Sequence, residues 1–322
     1  MAGIERALKK LEKRVKVSEA KKTVLIPERY PQLDLFMTAG ITAIPKDEMA
    51  SMEHPIFAVE DGDTRELKYE HNGDVIEIIP SVRGRATQHD KDVILFCVSK
   101  LVAGINKGMT PARTVEITAR ELLLFTNSDT NARSYTLLAA ALDRLAGTRM
   151  KTTLKTGRPG KGGSKWFGLI DGAETVTKGP GDRMESIRIT LSEWTYNAVL
   201  SLEVLTIPRE YFRLRKPIAK RIYELARKHC GDQGRWKVSL DLLQKKVGSR
   251  ALLRKFRAAV IVIAEEGPLL DYHMKYLPAE DAVVFYSQNE AGTRAITTDL
   301  EKERGGAVGE RKRRPRAKRT LR

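Results

Sequence analysis

The fold is decided by residues 216–288, which read KPIAKRIYELARKHCGDQGRWKVSLDLLQKKVGSRALLRKFRAAVIVIAEEGPLLDYHMKYLPAEDAVVFYSQ. Apolar residues recur at helical spacing over 216–231 and the run stops at Gly231, which predicts an amphipathic helix ended by glycine. The run RWKVS at 235–239 predicts a short strand. Two further helical patterns, separated by a Gly-Ser turn, predict a short helix and a longer one, the latter over 251–267.

Ser239 stands at the start of the shorter helix and is predicted to cap it. After the longer helix, the patterns LLDYHMKYL and AVVFYSQ flank residues 278–281 and predict a β-hairpin. Helix, strand, helix, turn, longer helix and hairpin is the order of a winged helix-turn-helix domain. In such a domain the hairpin is the wing, and the longer helix lies in the major groove of DNA.

A similar order stands earlier in the chain. Asp90 is predicted to cap a helix over 90–108, and Thr118 with Glu121 fits a capping box that opens a second helix, ARELLLF. A longer helix is predicted over about 130–145. Strands are predicted at 148–155, 166–170 and 185–191. The Gly-rich segment between the first two strands is the predicted tip of a wing.

These patterns predict an α+β fold with two tandem winged-helix domains and flexible basic tails. The hinge between the domains is expected near 195–215. The predicted parts are an N-terminal basic helix and arm (1–50), winged-helix domain 1 (51–200), winged-helix domain 2 (201–290) and a disordered basic tail (291–322). The helix of the arm is predicted over 4–18 from its apolar spacing. The tail is predicted to be disordered because it is rich in Lys and Arg and lacks apolar periodicity.

The charge of the chain favours a polyanionic partner. The 322 residues carry 58 Lys and Arg against 41 Asp and Glu, which gives a net charge of +17 and a pI near 9.8. Such a surplus favours nucleic acid as the partner. The sequence has no apolar run of membrane-spanning length and no signal-peptide pattern, so we expect a cytoplasmic protein. Cys97 and Cys230 are too few for a disulfide framework.

Each longer helix carries candidate DNA-contacting residues. In the first, Asn131 is suited to adenine and Arg133 to guanine, and the small side chain of Thr136 lets the backbone approach DNA. The alternative is an ordinary amphipathic helix with a solvated arginine face.

The second longer helix is richer in cations. Arg250, Arg254 and Arg257 are spaced to share its outer face, with Lys255 beside them, and this pattern suits guanine or phosphate contacts better than a random surface. Cations of the first wing are expected to lie over DNA phosphates. They are Lys155, Arg158, Lys161 and Lys165.

Motifs for catalysis are weak. The segment GRPGKGGSK has two glycines at phosphate-loop spacing, but Gly163 stands where a lysine is required. Asp61 and Asp63 flank a glycine, a pattern compatible with a metal in a primase or nuclease but more often found in a turn. We therefore expect a non-enzymatic protein that needs no cofactor and no metal.

Six runs of the chain carry a family resemblance. They are SMEHPIFAVEDGDTRELKYEHNGD (51–74), ATQHDKD (86–92), RSYTLLAAALDRLAGT (133–148), FGLIDG (167–172), ITLSEWTYNAV (189–199) and IPREYFRLRKPIAKRIYELARKHCG (207–231). In these runs the chain resembles the plasmid replication initiator protein A family, and it is similar in plan to TrfA-like and other iteron-binding initiators. The last run is the longest and the most specific.

The resemblance implies two winged-helix domains that bind iterons, which are direct repeats in the double-stranded DNA of a plasmid origin. It implies that binding helps to melt an AT-rich segment and to recruit the host replicative helicase and the host initiator. It also implies a homodimer through domain 1, with a role in copy control, and a location in the bacterial cytoplasm in association with nucleoid or plasmid. Residues 250–257 match the basic start of the second recognition helix, and 131–133 match the start of the first. The residues alone leave open a site-specific transcriptional repressor of the same fold.

Overall fold

The structure is a computed structural model that describes residues 25–30, 43–71, 73–154, 163–178 and 183–311. In these ranges four antiparallel sheets and the helices around them form two units joined by a packed junction. None of the helices in the described ranges is long and apolar enough to cross a membrane. The predicted helix over 4–18 and residues 312–322 of the predicted tail lie outside the described residues.

The first unit, residues 67–200, follows two short elements of the junction. The two junction elements are β1 (Lys46–Glu48) and α1 (Met49–Glu53). The elements of the first unit are β2 (Leu67–His71), β3 (Asp74–Ile79), α2 (Lys91–Asn106), β4 (Thr114–Thr118), α3 (Ala119–Phe125), α4 (Ala132–Gly147), β5 (Arg149–Thr152), β6 (Lys165–Gly168), β7 (Ile170–Lys178), β8 (Arg183–Leu191) and α5 (Glu193–Leu200). The strands of this unit form two sheets, with the orders β2-β3-β5-β6 and β4-β8-β7.

The second unit, residues 217–311, follows a strand that pairs with β1 and a 3-10 turn. The elements are β9 (Val204–Thr206) and the turn Arg209–Arg213, then α6 (Pro217–His229), β10 (Arg235–Ser239), α7 (Leu240–Val247), α8 (Leu253–Glu265), β11 (Tyr272–Leu277), β12 (Ala282–Ser287) and α9 (Glu290–Arg311). Its sheet has the order β10-β12-β11. Helix, strand, short helix, longer helix and hairpin therefore occur in the same order in both units. In the first unit these elements are α2, β4, α3, α4 and β7–β8, with the β5–β6 hairpin inserted between α4 and β7.

Local side-chain chemistry accounts for several element ends. Thr118 Oγ1 accepts a hydrogen bond from the N–H of Glu121 at 3.1 Å, and the Glu121 carboxylate accepts one from the N–H of Thr118, which confirms the predicted capping box. Gly248 ends α7 with a φ of +74°, and a Cβ at this position would lie 2.7 Å from Cβ of Pro55. The positive φ and the close approach of Pro55 therefore both require glycine at position 248. Ser239 stands at the N-cap position of α7, but its side chain makes no capping hydrogen bond.

The apolar core runs through both units and the junction. Phe125 of α3 lies between Phe96 of α2, at 4.7 Å between ring centroids, and Phe212 of the 3-10 turn, at 5.1 Å. All three rings are buried. Full burial of such a side chain contributes about 1.5–3 kcal/mol, so this cluster stabilises the first unit and the junction together.

Charged side chains are buried where the two units meet. The carboxylate of Glu224 in α6 is fully buried and lies 2.6 Å from Tyr211 Oη, 3.0 Å from a nitrogen of Arg221 and 2.9 Å from Nζ of Lys91 in α2. Lys91 also donates to Asp47 of β1 at 2.7 Å. These bonds offset the cost of removing the charges from water. They also connect both units to the junction.

The structure differs from two of the organisational predictions. Residues 291–311 were expected to be disordered, but they are helical in α9, and Asp299 of this helix binds Arg235 and Tyr286 of the adjacent sheet at 2.8 Å each. The weak apolar spacing of this helix explains why the sequence did not indicate it. The expected hinge over 195–215 contains β9, which pairs with β1 inside the packed junction.

Candidate nucleic-acid interface

Helix α8 is the candidate reading helix of the second unit. Its inner face packs Phe256, Val260 and Ile263 into the core. Arg254 and Lys255 are exposed in its first turn, and neither side chain has an ion pair or hydrogen bond within the described part of the chain. Cations at a helix N-terminus are unfavourable for the helix itself. Their position therefore favours an anionic partner over a role in helix stability.

Arg257, one turn further along α8, is held by the hairpin. Its Nε and Nη2 donate to the two carboxylate oxygens of Asp281 at 2.9 and 2.7 Å, and Tyr276 Oη donates to the same carboxylate at 2.7 Å. The hydrogen bonds from Arg257 and Tyr276 lower the pKa of Asp281, and the bond to Asp281 raises the pKa of Arg257. Both partners are therefore charged at neutral pH, and they connect α8 to the turn at 278–281.

Arg250 lies before the first residue of α8 and points to the chain segment that precedes β2. It donates to the backbone carbonyl of Glu66, and its Nε lies 3.6 Å from the carboxylate of Asp63. The predicted row of three arginines is therefore divided: Arg250 binds this segment and Arg257 binds the hairpin. DNA contact by each of them remains a prediction, and Arg254 and Lys255 are the cations that stay open to solvent.

Helix α4 occupies the equivalent place in the first unit. Asn131 is its N-cap, because the side-chain oxygen accepts a hydrogen bond from the N–H of Ser134 at 3.0 Å. Thr136 Oγ1 donates to the carbonyl of Ala132 at 3.2 Å. Arg133 is exposed, and its side chain has no ion pair among the described residues. The cap uses the side-chain oxygen of Asn131, so the two N–H donors of its amide nitrogen are left for another partner. DNA contact by Asn131, Arg133 and Thr136 stays a prediction.

The rest of the α4 surface is apolar or electrically neutralised. Leu137 is 56% exposed. Arg144 binds the carboxylate of Asp90 through two hydrogen bonds of 2.7 Å, and Asp143 lies 3.0 Å from Arg83. Asp90 makes no capping bond to α2, which corrects the predicted cap: its backbone is already helical, with φ of −67° and ψ of −29°, and its carboxylate binds Arg144 and the N–H of Thr87 instead.

The hairpin predicted as the wing of the first unit belongs to another sheet. Strand β5 pairs with β3, so the β5–β6 hairpin completes the sheet β2-β3-β5-β6. The hairpin that pairs with β4, as β11–β12 pairs with β10, is β7–β8. The sequence did not indicate β7 because its polar residues lack apolar alternation. Lys165 is exposed at the start of β6, whereas Lys155, Arg158 and Lys161 lie outside the described residues.

Sequence reasoning did not identify Asp281, Tyr276 or Trp166 as candidates. Trp166 in β6 is 61% exposed, and its ring centroid lies 5.4 Å from Nζ of Lys151 in β5. An exposed aromatic ring beside cations is typical of nucleic-acid stacking surfaces. The sequence offered one weak indication of the partner of Arg257: Asp281 is an acidic residue in the predicted hairpin turn.

Asp61 and Asp63, the two acidic residues considered for a metal site, differ in burial and in partners. Asp63 is buried and lies 2.8 Å from Arg65 and 3.6 Å from each of Arg85 and Arg250. Burial raises the pKa of Asp63, but the hydrogen bonds from Arg65 and the charges of the other two arginines outweigh it and lower the pKa overall. Asp61 is exposed. In the described ranges, no group of three or more His, Cys, Asp or Glu residues is placed to hold a metal ion.

Two solved structures share this arrangement of elements. Crystal structures of domains 2 and 3 of RctB, one of them of selenomethionine derivatives, align with TM-scores of 0.54 and 0.52, each at 14% sequence identity. The alignments cover 73% and 74% of this chain and 94% and 96% of those chains. At this identity the likeness concerns the fold alone.

Comparison at the level of sequence is more specific. The model of the family described as Replication initiator protein A matches residues 46–274. A protein of Wigglesworthia glossinidia brevipalpis, described as "Putative replication protein", is 37% identical over 242 residues, which cover 74% of this chain and 88% of that protein. The chain therefore belongs to the replication initiator protein A family and is a replication initiator.

Proposed function

We propose that this initiator binds iterons, repeated sites in the duplex of a plasmid origin, and that α8 reads them in the major groove. The observation that carries the proposal is the open pair Arg254 and Lys255 in the first turn of α8, beside the hairpin turn at 278–281. Arg and Lys are the side chains best suited to guanine edges and phosphates. In this proposal both units are winged helices, and β11–β12 is the wing of the second.

The first unit supplies a second reading helix, α4. Arg133 is its open cation, and the amide of Asn131 is a further donor at the same helix end. The β5–β6 hairpin carries the exposed Lys165, and Trp166 lies beside Lys151 on its surface. These residue types suit contacts to phosphates and bases next to the helix. The two units then engage successive grooves of one site.

Opening of the duplex follows from the fixed geometry of the two units. The buried bonds among Glu224, Lys91 and Asp47 hold both units on one junction, and in this proposal the DNA deforms to engage both reading helices. Bending a site costs about 1–6 kcal/mol by elastic estimates, and this strain favours strand separation in an adjacent AT-rich segment. Recruitment of the host replicative helicase and the host initiator completes the proposed role.

A homodimer through the first unit is part of the proposal. Strand β7 is an edge of its sheet, and residues 174–177 are exposed, which leaves backbone groups open to pairing with a second copy. Such a dimer offers a means of copy control. We further propose that the protein acts by binding and not by catalysis, because the arginines around Asp63 occupy the carboxylate that a metal would need.

The proposal is tested by footprinting. Purified protein is incubated with sheared source DNA that includes its own gene, at about 150 mM salt, where non-specific electrostatic binding is weakened. Protected direct repeats beside an AT-rich segment support the proposal. A single inverted repeat over a promoter favours a repressor of the same fold instead. Binding without a discrete protected site contradicts sequence-specific reading by α8.

A further inference from the structure

The turn between β11 and β12, residues 278–281, is fixed to both helices of the second reading motif. The carboxylate of Asp281 binds Arg257 of α8 and Tyr276 of β11, with donor–acceptor distances of 2.7–2.9 Å. The backbone carbonyl of the same aspartate accepts a hydrogen bond from the N–H of Leu240, at the start of α7, at 2.8 Å. One residue therefore connects the hairpin to α7 and to α8.

This turn brings two acidic residues next to the proposed DNA-binding surface. Glu280 pairs with Lys237 of β10, and Asp281 pairs with Arg257. A carboxylate near phosphates weakens binding by like-charge repulsion. A guanidinium that is engaged by a carboxylate is also one cation fewer for the DNA. Electrostatics alone thus predict tighter DNA binding when Asp281 is neutralised.

We propose that Asp281 has the opposite effect, as a positioning residue for duplex recognition. By holding Arg257 it fixes the hairpin turn against α8, so the hairpin and the first turn of α8 meet the DNA as one preorganised surface. Preorganisation strengthens binding because the ordering cost is met before the partner arrives. The inference rests on the proposed duplex binding and names a structural device within it.

The local geometry supports a positioning role. Asp281 has a φ of +46°, a left-handed conformation that Asp and Asn tolerate better than other non-glycine residues. Both carboxylate oxygens are bonded to Arg257, and one of them also accepts the Tyr276 hydroxyl. Bidentate Arg–carboxylate pairs add geometric specificity as well as energy. The competing interpretation is that Arg257 leaves this pair to contact a phosphate directly.

The two interpretations predict opposite signs for one substitution. Asp281→Asn keeps the side-chain shape and the tolerance for a positive φ while it removes the charge. Glu265→Gln is the matched control, since Glu265 is an exposed acid of α8, the helix to which Asp281 is bonded, and it has no ion pair among the described residues. Affinity is measured for the shortest duplex that the wild-type protein protects in the footprint, and for an unrelated duplex of equal length.

We expect Asp281→Asn to weaken binding to the protected duplex about tenfold, a change of about 1.4 kcal/mol, with affinity for the unrelated duplex unchanged. Glu265→Gln is expected to leave binding unchanged or to strengthen it slightly. Arg257→Ala is expected to weaken binding in the wild-type protein. In the Asp281→Asn background it should reduce the affinity by less than about a further twofold, because the effects of coupled residues are not additive. Tyr276→Phe removes one hydrogen bond and should give a smaller loss, about threefold.

Equal or tighter binding of Asp281→Asn overturns the inference, and so does a loss from Arg257→Ala that is the same in both backgrounds. If Asp281→Asn fails to fold by its thermal unfolding curve, Tyr276→Phe decides the matter, since unchanged affinity there contradicts a positioning role. A wild-type protein without any discrete protected duplex overturns the proposed function, and the inference with it. If the inference alone fails, the wild-type protein still protects a discrete duplex, and the Asp281→Asn variant binds that duplex as tightly as the wild type does.

Discussion

The helices α4 and α8 occupy the same place in the two units, yet they expose different chemistry. Helix α8 begins with Arg254 and Lys255 open to solvent, and a hairpin is fixed to its side through Arg257. Helix α4 begins with a single open cation, Arg133, and continues with the exposed apolar side chain of Leu137. The order of elements is therefore shared, but the charge on the reading surface is not.

Within the proposed function, this difference predicts unequal roles for the units. A repeated fold preserves the packing of helices on a sheet, whereas exposed positions are free to change with function. We expect the cation-rich α8 to contribute more to base readout than α4. Leu137 of α4 and the open edge of β7 are surfaces that suit contacts with protein in addition.

The largest effect on stability is expected from removing the buried carboxylate at the junction of the two units. Glu224→Ala leaves the buried Arg221 without a carboxylate partner and leaves Asp47 as the remaining carboxylate of Lys91, and breaking a buried ion pair in this way costs about 3–5 kcal/mol. The measurement is the free energy of unfolding in urea. Glu265→Ala, at an exposed site, is the control. A loss for Glu224→Ala no larger than that of the control would show that the two units do not depend on this junction for stability.

The comparison of the reading helices is tested by two pairs of substitutions. Arg254→Ala with Lys255→Ala in α8 is expected to cost about 1–3 kcal/mol for each lost base contact. In the first unit, Arg133→Ala in α4 is combined with Arg120→Ala at an exposed position of the neighbouring helix α3. This pair removes the same charge and is expected to cost less. Both are measured as affinity for the protected duplex at one salt concentration. Equal losses would remove the distinction between α4 and α8.

The junction also predicts a dependence of stability on pH. Burial raises the pKa of Glu48 from 4.5 to about 7. Because the folded-state pKa lies above the unfolded one, the stability from this group is present below pH 4.5 and is lost as the pH rises through 7. Between pH 5 and 8 the wild type should lose about 2.5 kcal/mol relative to Glu48→Gln. Parallel pH profiles of the two unfolding free energies would contradict this expectation.

The smallest effect on specificity is expected from the basic C-terminus. Truncation after Gly306 removes the Lys/Arg-rich end of the chain. Fewer phosphates are then neutralised, so the dependence of affinity on salt should become shallower while the protected site stays the same. The affinity is measured between about 50 and 200 mM salt. A changed footprint would assign the tail a part in site selection and weaken the primary role given to α8.

Apolar spacing and capping residues predicted much of the fold because they act over a few residues. The capping box of Thr118 and Glu121 and the apolar inner face of α8 are present as predicted. The family resemblance is confirmed by the match over residues 46–274. Strand β7 and helix α9 were not predicted, since their apolar patterns are weak and contacts with neighbouring strands stabilise them.

Composition and periodicity are enough to predict the basic character of the chain, the order of most helices and strands, and the inward face of the predicted helices. Which cations remain open to solvent depends on tertiary packing. Arg250 bonds to a carbonyl 184 residues away, and Arg257 bonds to an acid 24 residues away. Periodicity shows that a side chain points outward, but the partner it meets there comes from a distant part of the chain, whose position depends on how the whole chain packs.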